Sequence, residues 1–195
     1  NIIGDFETYF VAQMLEYACA VLNKQYKTGE QQDIAMLSAV LQHIEKANLG
    51  EKYPLIAAYK NFVLLFQTQS VAYFEDLWQV LRENISHFQK SELNALYITA
   101  INFAIIQYLK GNTPFKDYIL NLYEQMLDNN ILVTNHYLSH QHFKNILTIA
   151  LHLDKIAWVK QFVEKYGEQL PPEIRDDMTL FSKASIAFYE KKYEE

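Results

Sequence analysis

Apolar residues head a helical pattern at Ile34, Phe74, Phe115, Ile156 and Tyr193, separated by 40, 41, 41 and 37 positions. After each of the first four, the residues three and seven places on are also apolar: Leu37 and Leu41, Leu77 and Leu81, Tyr118 and Leu122, Val159 and Val163. Such spacing keeps them on one face of an α-helix. A repeat of this length excludes most folds, because one helical hairpin cannot bury its apolar face alone. Each hairpin must be covered by the next, and the chain stacks.

The five glycines and four prolines fall almost entirely at the joins of this period. Gly29 closes the first helix and Asp33 caps the second; Gly50 and Pro54 separate the second from the third. At the next join Thr113 is the expected cap, with Pro114 at the first helical position, where its missing N–H costs nothing. Gly167, Pro171 and Pro172 punctuate the last hairpin, and Ser70, Ser91, Ser139 and Asp154 are candidate caps elsewhere. These marks predict nine helices, over 5–28, 32–48, 54–69, 71–89, 92–110, 114–128, 139–153, 155–168 and 172–192. Ile131-Leu132-Val133 is the one strand-like run; it lies in the longest connector and is expected to tuck in as a packed loop.

Short joins imply antiparallel neighbours. The expected fold is all-α, a right-handed α-α superhelix (solenoid) of about four and a half helical hairpins in a single domain over residues 1–195. The chain opens on Asn1 and stops as Tyr193 begins another second helix, so it is read as a piece of a longer array.

Half the residues are hydrophobic and 14% aromatic, which excludes a disordered chain. The net charge of −6 argues against nucleic acid and against an anionic membrane surface as partner. No apolar run is long enough to span a bilayer. Cys19 is the only cysteine, which suits a reducing, cytoplasmic setting, and it reads as a buried small hydrophobe.

From Phe143 on, the pattern resembles a degenerate tetratricopeptide repeat. Phe143, Ile146, Leu147 and Ala150 occupy the first-helix positions of that motif, and Leu153-Asp154-Lys155-Ile156 its inter-helix turn. Val159, Phe162, Val163 and Tyr166 match the second helix, Pro171 the terminating proline, and Ala184 and Phe188 a following first helix. The departures are Leu147 at a small position, Lys183 at an apolar one, and an upstream period longer than the motif's usual 34. The stretch from Tyr118 is also similar to a family of long tetratricopeptide-like bacterial proteins of the Bacteroidetes kind. That likeness implies a multi-repeat helical protein and carries no catalytic residues with it.

Four histidines, His136, His140, His142 and His152, fall close together, but His140 and His142 point to different helix faces and His136 lies in the connector. The adjacent acids Glu75/Asp76 and Asp176/Asp177 diverge on a helix, and they read as residues of a helix's first turns, favoured there by the helix dipole. In the tetratricopeptide register Lys144, Thr148, Leu151 and His152 face a concave groove suited to an extended peptide or a helix. The chain therefore reads as a protein- or peptide-binding scaffold rather than an enzyme, with no cofactor. The alternatives are the sensor part of a regulator whose DNA-binding domain lies outside this sequence, a metal-dependent helical enzyme using the His136–His152 region, and a structural spacer.

Overall fold

The computed structural model describes residues 2–191; Tyr193, the fifth member of the periodic series, lies outside them. Among the described residues the chain is all-helical apart from one short hairpin. It divides into two compact units, Asn1–Leu96 and Tyr97–Glu195, with the boundary inside one continuous helix.

The first unit holds α1 (Ile2–Thr28), α2 (Leu37–Ala47), the single turn α3 (Leu49–Lys52), α4 (Pro54–Thr68), α5 (Val71–Glu83), a 3₁₀ turn at Ile85–His87 and the start of α6 (Lys90–Leu109). Pro54 opens α4, its fixed φ already helical. This helix packs against both α1 and α5. Covered from two sides, it buries Ile56, Ala58, Phe62, Val63, Leu65 and Phe66. Val11, Leu15, Ala18 and Cys19 of α1 and Phe74, Leu77 and Leu81 of α5 complete this core. Burial of a side chain such as Phe62 is worth about 2–3 kcal/mol.

The second unit holds the rest of α6, α7 (Phe115–Asp128), strands β1 (Val133–Thr134) and β2 (Tyr137–Leu138), α8 (His140–His152), α9 (Ile156–Gly167) and α10 (Pro172–Tyr189). Here α8 packs against α7, α9 and α10. Phe143, Ile146, Leu147, Ile149, Ala150 and Leu151 are accordingly all buried. Trp158, Phe162 and Tyr166 recur every four residues along α9 and form a row of rings. The Phe162 centroid lies 5.4 Å from Trp158, 5.3 Å from Tyr166 and 4.9 Å from Phe143 of α8.

Three helices of this unit end in the same way. At Gly111, Asn130 and Asp154 the backbone turns left-handed. The next N–H reaches back to a carbonyl five residues earlier: Asn112 to Gln107 (3.0 Å), Ile131 to Met126 (2.7 Å) and Lys155 to Ala150 (3.0 Å). This pairing satisfies carbonyls that the helix end leaves free. Asp154 thus closes α8 and does not cap α9, whose preceding residue is Lys155.

Other boundaries move as well. The second helix begins at Leu37 rather than near position 32, because exposed Met36 adopts a left-handed φ of 66° and interrupts it. Asp33 therefore lies outside any helix and caps nothing. Gly50 is inside α3, a turn set apart from α2 by left-handed Asn48. The helix expected over 71–89 stops at Glu83, Ser91 lies inside α6, and Pro114 precedes the first residue of α7. Ser70 and Ser139 stand at the starts of α5 and α8, but neither side chain makes a capping hydrogen bond.

The connector after α7 is not an irregular loop. Ile131 and Leu132 are buried as expected, but Val133–Thr134 pairs antiparallel with Tyr137–Leu138. Asn135 and His136 form the two-residue turn, both at positive φ (51° and 70°), the geometry that matches the twist of a hairpin. The Leu138 N–H then donates to the Gln169 carbonyl at 2.7 Å and pins the hairpin to the join after α9.

Among the periodic residues Ile34, Leu37, Phe74, Leu77, Leu81, Phe115, Leu122 and Val159 are buried, while Leu41, Tyr118, Ile156 and Val163 are half-buried. No helix of the described residues is long and apolar enough to cross a membrane.

Candidate functional site

Lys144, Thr148, Leu151 and His152 all lie on α8, with Thr148 and His152 one and two turns after Lys144 and Leu151 next to His152. Opposite them α10 presents Phe181, Ala184, Ser185, Phe188 and Tyr189, and a cavity of about 360 Å³ opens between the two helices. Thr148 and Leu151 line it directly. Leu151 is only 1% exposed, so it belongs to the packed floor and offers a partner little surface. Lys144 and His152 stand to either side. The Lys144 ammonium lies 5.2 Å from the centre of the Phe181 ring, a cation–π distance. The His152 imidazole lies 6.0 Å from the Tyr189 ring, and its backbone carbonyl accepts a 3.1 Å hydrogen bond from the Lys116 ammonium.

The cavity is therefore apolar at its base and polar at its rim. Phe188 remains 63% exposed beside it. Such a surface can hold an apolar side chain and hydrogen-bond its flanking backbone. The sequence pattern placed Phe188 at an aromatic position but gave no sign of Phe181, whose ring meets α8 only through the packing of α10.

The histidines disperse. His136 sits in the hairpin turn and His140 at the exposed start of α8, while half-buried His142 packs its ring 6.1 Å from Tyr123. Burial holds the His142 imidazole below its ordinary pKa. Among the described residues no three histidine, cysteine, aspartate or glutamate side chains are grouped as a metal site. The acid pairs Glu75/Asp76 and Asp176/Asp177 lie in the second turns of α5 and α10. Cys19 is buried in the first unit, where burial above all, and then nearby Glu16, raise its thiol pKa far beyond the ordinary range.

Compared with protein-family models, curated proteins and solved structures, the chain matches none.

Proposed function

We propose that the chain is a helical-repeat scaffold of the tetratricopeptide-like kind, a right-handed α-α superhelix that holds a segment of a partner protein in a cytoplasmic setting. The observation that carries this reading is the apolar groove between α8 and α10, rimmed by Lys144, Thr148 and His152 and left open beside exposed Phe188. A contiguous apolar surface with a polar rim is the form that interaction sites take. The packing of α1 on α4, and of α8 on α10, supports the stacked arrangement, since these are first helices of successive hairpins in the expected order.

The partner segment would seat one aliphatic or aromatic anchor against Phe181 and Phe188 and bond its backbone at Thr148 and His152. Panning a random-peptide library against the chain tests this. Enriched peptides are expected to share an apolar anchor and to lose roughly tenfold in affinity when Phe188→Ser and Thr148→Arg are combined. Peptides that bind the doubly substituted, folded protein as well as the original would remove this groove from the proposal.

A further inference from the structure

The first unit carries a second, chemically different groove, of about 700 Å³, lined by α2, α3, α4 and α5. Four carboxylates face it, Glu45, Glu51, Asp76 and Glu83, against the single ammonium of Lys60. Lys60 is already paired with Glu45 at 2.8 Å. Asn48 donates to Glu51, and Gln79 donates to Glu83 at 3.0 Å. Asp76 has no hydrogen-bond or ion-pair partner among the described residues.

An acidic surface alone is ordinary; the side chain at its base is not. Asn61, on α4, is 7% exposed, and what remains accessible lies on the groove. Its carboxamide makes no hydrogen bond to any described residue. Solvent reaches what little of it is accessible, so a group entering the groove can take the place of water as its hydrogen-bond partner. The carboxamide donates and accepts at once, the pattern of a peptide unit, and the Asn48 and Gln79 amides stand beside it in the same lining.

We propose that this groove docks an extended, arginine- or lysine-bearing segment of a partner protein, with Asn61 bonding its main chain and Asp76 and Glu83 receiving its cations. Guanidinium and ammonium groups complement the unbalanced carboxylates. Phosphate-bearing partners are repelled by the same charges. The site lies wholly in the first unit and does not depend on the α8–α10 groove.

The test is fluorescence anisotropy of a labelled peptide alternating alanine and arginine, titrated with the whole chain at low salt, beside a control peptide with glutamate in place of arginine. The arginine peptide is expected to bind, the control not, and the affinity to fall as salt rises. Asp76→Asn with Glu83→Gln should weaken binding roughly three- to tenfold. Asp177→Asn, on α10, should leave it unchanged. In the unsubstituted protein the Asn61 side-chain amide resonances should shift on titration, and Asn61→Ala should weaken binding at least about threefold. No binding of the arginine peptide, an unmoved Asn61 resonance, or an equal loss from Asp177→Asn overturns the proposal. Complete displacement by spermidine at matched charge also overturns it, by making this a site for small polycations.

Discussion

The thiol of Cys19 on α1 donates to the main-chain carbonyl of Tyr59 on α4 across 3.6 Å, so the lone cysteine sits at the contact between two core helices. Tyr59 shares that environment: burial first, and then Glu16, raise its phenol well above the ordinary tyrosine range.

An aromatic disulfide reagent at pH 8 is therefore expected to leave Cys19 unmodified in the native protein and to modify it stoichiometrically in denaturant. Because the folded pKa is raised, the stabilisation is complete below the unfolded thiol's pKa of about 8.5 and is lost as pH climbs toward the folded value. Denaturant midpoints should decline from pH 8 to pH 10. Fast modification of the folded chain would contradict the burial.

Phe62 has helices on both sides, and Phe188 has solvent. Phe62→Ala should cost about 3–5 kcal/mol, because the cavity lies where neither neighbour can collapse fully. Phe188→Ala should cost less than about 1 kcal/mol. Urea unfolding followed by far-UV circular dichroism separates the two. Similar losses would mean that Phe188 is packed in solution.

His136 occupies the second position of the hairpin turn at φ 70°. A Cβ is disfavoured there and glycine is at ease, so His136→Gly should raise stability by about 0.5–1 kcal/mol despite the entropy that glycine adds to the unfolded chain. A lowered melting temperature would show that the imidazole makes a contact outweighing the strain.

Burial depresses the His142 pKa, and the sign of the effect follows. As pH falls below the unfolded value of about 6.5, the unfolded chain takes up a proton before the folded one, and stability declines. His142→Gln should flatten the stability profile between pH 5 and 7 relative to the unsubstituted protein. An unchanged slope would assign the acid sensitivity elsewhere.

The period was readable because half of it is written in residues that bury completely: Phe74, Leu77, Leu81, Phe115, Leu122 and Val159. Helix ends were less legible. A left-handed Met36 or Asp154 follows from how the chain must turn, not from a residue type that announces it. Strands of two residues are too short to show alternation, so the hairpin around Asn135 and His136 left no periodic trace. Leu151 illustrates the limit at the candidate site. Covered by three neighbouring helices, α8 is apolar on more than one face, and spacing alone does not separate the floor of a groove from its rim. The acidic groove was invisible for a related reason: Glu45, Glu51 and Asp76 come from three helices, and their convergence belongs to the packing.

The bond from Leu138 to Gln169 brings the two ends of the α8–α9 hairpin to one point. A segment whose entrance and exit coincide can be copied, lost or replaced without redirecting the chain on either side. The hydrogen bond that closes it therefore marks a seam at which the hairpin can be exchanged as one piece.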